Sequence, residues 1–356
     1  MNSVSAPRTV LFIDLRHIRC GDLEWFSLEG NRLPLIPTSE PQVEAHAGTD
    51  FVPHGIRLVA QRANKTKPLP KGTFSGYSRI IFENGLYRAW YLDAKYPHPK
   101  AMPLSVEVCY VESKDGFEWT QPARGQIEVS GRKGFDGFTT FIDSKGPLDE
   151  RYKAVYTATP PKEEWPSIWE KYQRVHPRYR DTRINADNVR CMYGVVSPDG
   201  IHWKSIPEPL MVHMSDTDTS IYYDAWLDRY VMYTRLYWQE RRWIARAEAE
   251  DFRHWGPVQP LIWPRLDGPL SDDIYTNGRT EYPGLPQYHL MFPMIYHRYT
   301  QTSEVRLFSS ADGICWNEVP GGPVLSPGAL GEWDSEFISV GKDLVPLGND
   351  RVGILY

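Results

Sequence analysis

The feature that most constrains the fold of this chain is a turn that recurs along it. An Asp stands four residues before a Trp at four places, and three of them read Ser-x-Asp-Gly-x-x-Trp, as in "SPDGIHW" (197–203). The four pairs are Asp115 and Trp119, Asp199 and Trp203, Asp251 and Trp255, and Asp312 and Trp316. In such a turn the Asp accepts hydrogen bonds from backbone N–H groups, the Gly adopts a positive φ, and the Trp begins a strand. The pattern therefore predicts structural turns.

A second repeat lies between these turns and predicts β-hairpins. Five segments place a short turn before a strand in which aromatic and aliphatic residues alternate with others. They are "NGLYRAWYL" (84–92), "DERYKAVYT" (149–157), "LDRYVMYTR" (227–235), "LPQYHLMFP" (285–293) and "GNDRVGILY" (348–356). Each follows another predicted strand, at 76–83, 137–144, 219–226, 277–284 and 335–341.

Units of roughly four strands that recur every ~60–80 residues predict a β-propeller, because one blade buries its faces only against its neighbours. Five hairpins predict an all-β, five-bladed β-propeller. We expect a single domain over 1–356, with blade repeats in 71–356 and an entry and closure segment in 1–70. Because the last unit ends after its second strand, residues 8–20 are expected to pair beside 351–356 and close the ring.

One charged, Trp- and Tyr-rich segment, 160–188, interrupts the pattern between two predicted blades. Its centre, "SIWEKYQRV" (167–175), predicts a helix. One interpretation is a solvated insertion or an oligomer contact. The other is a lid over one face of the ring.

Composition narrows the classes of partner. The net charge is −5 without a block of like charges, which argues against nucleic acid and membrane surfaces as partners. The 13 Trp and 21 Tyr favour aromatic-lined surfaces suited to carbohydrate. The first residues contain no secretory leader pattern, and no apolar run is long enough for a membrane span, so we expect a cytoplasmic protein. The four Cys lie far apart and are expected to be free thiols: Cys20, Cys109, Cys191 and Cys315. No His or Cys spacing predicts a metal site.

Turns, hairpins and strand pairs such as "FENGLYRAWYLDA" and "DERYKAVYTA" together resemble the five-bladed propeller superfamily of glycoside hydrolase families 32, 43, 62 and 68. In particular they look like the group labelled "glycosyl hydrolase family 32 N-terminal-like". The resemblance extends from about residue 11 to residue 356. It implies hydrolysis or transfer of sugars, often furanosides, by carboxylates on the innermost strands. It implies no required cofactor, although some members hold Ca²⁺ or another hard cation at the ring centre. The W-x-N-D-P-N-G, R-D-P and E-C motifs of the fructan-cleaving enzymes are not found.

Candidate site residues follow from propeller geometry, because the entrances of the innermost strands converge on one mouth of the channel. Acidic residues occur at this phase in four of the five units. The predicted catalytic residues are Asp136, Asp216, Asp273 and, as candidate acid, Glu281. The predicted substrate-binding residues are Tyr77, Arg79, Asp218, Arg235, Tyr275, Arg279, Asp334 and Glu336.

These carboxylates predict a glycosidase, because glycoside hydrolysis needs one protonated and one ionised carboxyl group across the scissile bond. The expected substrate is a small oligosaccharide or another glycoside. Two alternatives stay open at this point. One is a non-catalytic carbohydrate-binding propeller, and the other is a glycoside phosphorylase or transferase that uses Arg79, Arg235 and Arg279 to bind phosphate.

Overall fold

The computed structural model describes residues 9–17, 58–69, 79–95, 105–121, 135–176, 178–217 and 219–356, together with three two-residue strands. Those strands are Trp25–Phe26, which pairs with Arg32–Leu33, and Gln126–Ile127. The described chain is mostly β and forms several antiparallel sheets, as predicted.

Three sheets contain four consecutive strands each, in chain order across the sheet. Sheet 1 contains Arg79–Glu83, Leu86–Lys95, Ser105–Ser113 and Trp119–Thr120, with Gln126–Ile127 also paired to its third strand. Sheet 2 contains Asp136–Ile142, Tyr152–Ala158, Cys191–Ser197 and Lys204–Ser205. Sheet 3 contains Ser220–Asp224, Arg229–Trp238, Arg241–Ala249 and Gln259–Ile262.

The fourth unit bends, so its strands are divided between two sheets. Sheet 4 contains Arg279–Tyr282, Leu285–Met291, Phe308–Ser310 and Trp316–Glu318. Its companion sheet contains Asp272–Thr276, Met294–His297 and Thr302–Val305. At the bend Gly278 has a φ of +51°, and a Cβ there would lie 2.5 Å from the carbonyl oxygen of Phe292. Glycine is therefore required where the two chain segments approach.

The last unit is a short hairpin, here called the C-terminal hairpin. Val345–Pro346 pairs with Val352–Gly353, and the backbone bond from Gly341 to Leu355 extends the pairing. The predicted first strand at 335–341 is therefore wrong, because the pairing begins only at Gly341. Upstream of it, the backbone groups of Ile338 bond the hydroxyl of Ser303, in the strand Thr302–Val305, instead of the backbone of a strand.

The described helices are few and short. They are the 3₁₀ helices Leu15–His17, Leu148–Glu150 and Lys162–Glu164, and the α-helix Trp165–Val175. The α-helix confirms the helix predicted at 167–175. Its segment lies inside sheet 2, between the second and third strands, and not between two blades as expected. Within the described residues, no helix has the length and apolar character needed to cross a bilayer.

The Ser-x-Asp-Gly turns have the predicted geometry. Asp115 Oδ1 accepts the backbone N–H groups of Phe117 and Glu118, both at 2.8 Å, and Gly116 has a φ of +82°. The turns at Asp199 and Asp312 repeat these bonds. The sequence-level interpretation of these Asp residues as structural is therefore correct.

The first strands of the units surround one cavity of about 540 Å³. Its wall contains residues from five segments: 79–82, 141–144, 220–223, 279–286 and 343–346. Each segment belongs to the first strand, or its end, of a different hairpin. The C-terminal hairpin lies against sheet 1, where Asp343 Oδ2 accepts the N–H of Ile80 at 3.0 Å.

The described N-terminal residues lie elsewhere than predicted. Ile13 O accepts the Ser309 hydroxyl at 3.0 Å, and Arg16 donates to Ser310 O at 3.1 Å, so 9–17 contacts sheet 4. The expected pairing of 8–20 beside 351–356 is therefore wrong for these residues. The physical reason is that Arg16 finds backbone carbonyls and the Tyr288 ring, 4.9 Å away, at sheet 4. Residues 8 and 18–20 lie outside the described part.

Candidate functional site

Thr157, in the second strand of sheet 2, connects the first strand of that sheet to the loop that precedes sheet 3. Thr157 is the strand partner of Asp136 in sheet 2. Its hydroxyl donates to the carbonyl of Ser215 at 2.9 Å and accepts the N–H of Ser215 at 3.1 Å. Because Ser215 precedes Asp216, this one side chain holds the loop that carries Asp216 beside the strand that carries Asp136.

Gly137 makes this approach possible. It has a φ of +66°, and a Cβ at this position would lie 2.7 Å from Ser215 O and 3.3 Å from Thr217 O. The backbones on either side are thus in direct contact. Asp136 and Asp216, each next to one of the contacting residues, are brought to one place as the sequence predicted.

Two arginines hold the Asp216 carboxylate. Arg235 donates to Asp216 Oδ1 at 2.8 Å, and Arg183 donates to the same oxygen at 2.9 Å. The Arg235 side chain is 2% exposed, whereas Asp216 remains 38% exposed. Asp216 is therefore a charged group that is fixed in position and still reachable from solvent.

The two carboxyl groups have opposite electrostatics. Burial raises the pKa of Asp136 above its usual value, and the charge of Asp216 adds to the rise, while the Gly137 N–H and the charges of Arg190 and Arg235 offset part of it. For Asp216, burial alone would also raise the pKa. The opposite charges of its two arginine partners outweigh that effect and lower the pKa of Asp216 to about 2. The pKa values of the two carboxyl groups are thus shifted in opposite directions.

An aromatic group lies beside the arginines. The Arg235 guanidinium lies 4.1 Å from the centre of the Tyr275 ring and donates to the Tyr275 carbonyl. Tyr275, Tyr296 and Phe337 pack edge to face, with ring centres 5.4–5.6 Å apart. Phe337 is 50% exposed, so this cluster presents an apolar face to solvent. Such a face suits the apolar side of a sugar ring. Tyr275 and Arg235 therefore lie where the sequence predicted them, near Asp216.

Asp273 does not belong to the accessible site. It is 0% exposed, and both of its carboxylate oxygens are bonded. Arg242 contributes its backbone N–H and guanidinium at 2.9 and 2.7 Å, and Arg298 donates at 2.6 and 2.7 Å. A carboxylate enclosed in this way fixes two arginines, and the predicted catalytic role of Asp273 is corrected to that of a buried counter-ion.

Glu281, Arg279 and Arg79 line the 540 Å³ cavity, whose wall includes neither Asp136 nor Asp216. Glu281 accepts a bond from Arg279 at 3.0 Å, and Arg79 pairs with Asp343 at 3.1 Å. Glu281 lies in the strand Arg279–Tyr282, and its side chain is 38% exposed. Glu281 is therefore not placed as the acid of the Asp136 and Asp216 pair. Of the three arginines predicted to bind phosphate, Arg79 and Arg279 line this cavity, whereas Arg235 bonds Asp216.

The remaining predicted residues lie apart or outside the description. Asp334 is bonded to Lys65 at 2.6 Å and to the Tyr356 hydroxyl at 3.4 Å, and its side chain is 3% exposed, so it joins two chain segments instead of facing a ligand. Glu336 is exposed beside Phe337. Tyr77 and Asp218 lie outside the described residues.

Two arginines near the acids were missed from sequence, Arg183 and Arg190. Both belong to the chain between the second and third strands of sheet 2. Arg183 is anchored by Asp181, whose own N–H is bonded to the hydroxyl of the buried Tyr172 at 2.8 Å. The signal was the Arg-Asp-x-Arg pattern at 180–183 in the insertion, but its position over the site depends on tertiary packing. The insertion is a wall of the site.

The buried ammonium group of Lys342 lies between two segments of the chain. The Lys342 ammonium is 1% exposed and donates to the Thr139 hydroxyl at 2.5 Å, which joins the C-terminal hairpin region to the first strand of sheet 2. Within the described part of the chain, no group of three or more His, Cys, Asp or Glu side chains has the arrangement of a metal site.

No family model and no curated protein matches this sequence. Solved structures do share its fold. One titled "Glycoside hydrolase" has a TM-score of 0.52 at 13% identity, over 81% of this chain and 85% of that chain. A thermostable family-43 glycoside hydrolase has a TM-score of 0.50 at 13% identity, over 79% and 82%. An N-acetylgalactosamine deacetylase from F. plautii, in complex with blood group B trisaccharide, has a TM-score of 0.52 at 13% identity, over 81% and 80%.

These likenesses confirm the fold resemblance that the turns and hairpins predicted. At 13% identity they show the fold and no more. Their titles name glycoside hydrolases and a deacetylase, so the activity of this chain has to be argued from its own residues.

Proposed function

We propose that the protein cleaves a glycosidic bond, with Asp136 as general acid and Asp216 as the ionised carboxylate. The observation that carries this proposal is the close approach of Gly137 to the backbone of Ser215 and Thr217, which brings Asp136 beside the loop of Asp216, together with the two arginines bonded to Asp216. Solved glycoside hydrolases of the same fold support it, as does a neighbour whose title names a bound trisaccharide. We expect the substrate to be a small oligosaccharide or another glycoside.

The chemistry follows from the two protonation states. Asp136, protonated, donates its proton to the glycosidic oxygen as the bond to the anomeric carbon breaks. Asp216, kept ionised by Arg183 and Arg235, faces the developing positive charge and acts as nucleophile or as base toward water. Phe337 and Tyr275 offer an apolar face for the sugar beside this pair.

We further propose that the sheets form one five-bladed ring within a single domain. Its support is the cavity whose wall takes one segment from each of the five hairpins, and the contact of the C-terminal hairpin with sheet 1. In such a ring the entrances of the innermost strands form a common mouth, and we expect Asp136 and Asp216 to lie there.

The test is hydrolysis of a panel of aryl furanosides and pyranosides by the wild-type protein and by Asp136→Asn and Asp216→Asn. Each variant keeps the shape of the side chain and loses its charge. We expect turnover to fall at least ~10²-fold in each, the lower range for removing a general acid or base. Asp267→Asn, an exposed acid paired with Arg265, is the matched control and should retain full activity. A wild-type protein that binds sugars and cleaves none of the panel would contradict the proposal.

A further inference from the structure

The insertion between the second and third strands of sheet 2 contains a fully buried carboxylate, Asp181, that the proposed reaction does not use. Asp181 Oδ1 accepts the backbone N–H and the Nε–H of Arg183, both at 3.0 Å. Asp181 Oδ2 accepts Nη2 of the same arginine at 2.8 Å. This bidentate contact fixes the plane of the guanidinium. The other terminal nitrogen, Nη1, donates to Asp216 Oδ1 at 2.9 Å.

The same carboxylate also binds sheet 3. Asp181 Oδ2 accepts the backbone N–H of Tyr237 at 3.1 Å, and the backbone N–H of Thr182 donates to the Tyr237 carbonyl at 2.8 Å. The first strand of sheet 3 pairs with residues 229–233 of the second strand, and Tyr237 lies past that paired stretch. The insertion thus continues the pairing along this edge. Arg235, the other arginine of the site, lies two residues before Tyr237 on the same strand.

Further hydrogen bonds hold this part of the insertion. The hydroxyl of Tyr172, in the α-helix of the insertion, is buried and accepts the backbone N–H of Asp181 at 2.8 Å. Arg183 Nη2 also donates to Met214 O at 3.0 Å, two residues before Asp216. A buried network in which these groups find partners favours one arrangement of its side chains.

We propose that Asp181 is a positioning residue of the proposed active site, through which the insertion holds both arginines of Asp216 in place. The proposal rests on the proposed function, because it assigns Asp181 a role at the same site. Asp181 acts through Arg183 directly and through the strand that carries Arg235. Its two oxygens accept four N–H groups in all, three from Arg183 and one from Tyr237.

Asp181→Asn is the informative variant because it keeps the shape of the side chain. An amide has one oxygen and one NH2 group, so two of the four N–H groups would face another donor. Each carboxylate oxygen accepts at least one bond from Arg183, so either orientation of the amide breaks the bidentate contact. Arg183 should then lose its fixed position against Asp216.

The first arm of the test is steady-state kinetics on a glycoside that the wild-type protein cleaves. We expect Asp181→Asn to lower kcat about ten- to hundredfold, the range for hydrogen bonds to a charged group. KM should change little, because Asp216 acts in the chemical step. Asp187→Asn, at an exposed acid of the same insertion, makes the same charge change and should keep the wild-type kcat.

A double-mutant comparison separates positioning from a general structural role. If Asp181 acts through Arg183, Arg183→Gln and the double variant Asp181→Asn, Arg183→Gln should have equal kcat. This comparison does not depend on the folding of Asp181→Asn alone, because the double variant removes both charges of the pair. A further loss of kcat in the double variant would overturn the proposal.

The second arm does not depend on turnover. Carboxyl-carbon NMR from pH 3 to pH 7 follows Asp216, with its resonance assigned by Asp216→Asn. In the wild type its arginine partners lower the pKa of Asp216 to about 2, so the resonance should stay nearly constant. In Asp181→Asn it should titrate within this range, because Arg183 no longer stays in place. The charged groups facing Asp216 among the described residues are Asp136, Arg183, Arg190 and Arg235.

The outcomes separate the two proposals. An Asp216 resonance that behaves alike in the wild type and in Asp181→Asn overturns the positioning role and leaves the proposed function standing. An Asp216 resonance that titrates only in Asp181→Asn, from a protein that cleaves no glycoside, supports the positioning of Asp216 and contradicts the proposed function.

Discussion

Asp136 and Asp216 are neighbours with opposite protonation behaviour, and the cause lies in a few side chains around each. Asp136 is half-buried, and among the described residues its carboxylate accepts the N–H of Gly137 at 2.7 Å. The Asp216 carboxylate accepts hydrogen bonds from two arginines, Arg183 and Arg235. The pKa values of two residues of the same type are therefore shifted in opposite directions because their surroundings differ.

This difference predicts opposite effects of two matched variants on stability. The native pKa of Asp136 lies above the ordinary 3.8, so its contribution to stability is present below pH 3.8 and is lost as pH rises through the native pKa. Asp136→Asn should therefore raise Tm at pH 7, with the gain vanishing below pH 3.8. The native pKa of Asp216 is about 2, so its contribution is present above pH 3.8 and is lost as pH falls toward 2. Asp216→Asn should lower Tm at pH 7.

Thermal unfolding by circular dichroism from pH 3 to pH 8 measures both effects. The account is contradicted if the two Asn variants shift Tm at pH 7 in the same direction.

The sequence predicted both residues because acidic residues recur at the entrances of the predicted innermost strands. It could not separate Asp216 from Asp273, which occupies the same phase and differs only in its arginine partners. Arg242 lies in the strand Arg241–Ala249 and Arg298 in the turn after Met294–His297, and one sequence does not show which distant side chains will enclose a carboxylate. Arg183 was missed for the same reason.

At the scale of the element, sheet 2 is the part of the fold that assembles the site. Its first strand carries Asp136, its second strand carries Thr157, and the segment between its second and third strands carries Arg183. The loop with Asp216 belongs to the next sheet and is bound to sheet 2 by the Thr157 hydroxyl.

Thr157 therefore predicts a contrast with a second buried threonine of the same sheet. Thr157→Val leaves the N–H and carbonyl of Ser215 without this partner, which should cost about 1–3 kcal/mol of stability and reduce turnover as Asp216 moves. Thr140 is 0% exposed and its hydroxyl has no hydrogen-bond partner within the described structure, so Thr140→Val should be neutral or stabilising.

Denaturant unfolding and steady-state kinetics on both variants check this. Equal loss of stability in Thr157→Val and Thr140→Val would show that packing alone, and not the bond to Ser215, holds the loop.

The sequence predicted some of these elements correctly and others wrongly. The hairpins and Asp-Gly turns were predictable because each is specified by neighbouring residues, through alternation and through the Asp hydrogen bonds. The strand predicted at 335–341 fails because Ser303, distant in sequence, satisfies the backbone of Ile338. The alternation of residues within one segment does not show that a side chain distant in sequence will bond its backbone.

At the scale of the molecule, Asp343 connects the C-terminal region to sheet 1. This residue accepts the N–H of Ile80 and pairs with Arg79, both in the first strand of sheet 1. The Tyr87 hydroxyl also donates to the carbonyl of Pro346. The C-terminal hairpin, rather than residues 9–17, therefore provides the contact with sheet 1.

Breaking this junction should weaken the whole molecule. Asp343→Ala leaves Ile80 N–H and Arg79, whose side chain is 15% exposed, without their partner, at a cost of about 1–3 kcal/mol. We expect fluorescence and circular dichroism to report one shifted, coincident unfolding transition. Asp267→Ala removes an exposed acid, 69% accessible, and should change stability by no more than ~0.5 kcal/mol. An unchanged midpoint, or separate transitions for the two probes, would contradict a closed array.

The dependence of cleavage on the leaving group tests the Asp136 and Asp216 assignment most directly. The alcohol or phenol of an alkyl or phenyl glycoside needs a proton from the acid in order to leave. Dinitrophenolate, the leaving group of a dinitrophenyl glycoside, departs without one. Asp136→Asn should therefore lose at least ~10²-fold in kcat/KM on the poor leaving group and recover on the dinitrophenyl substrate, while Asp216→Asn should lose activity on both. If Asp136→Asn is equally impaired on both substrates, or if neither variant is impaired, Asp136 is not the acid and the account is wrong.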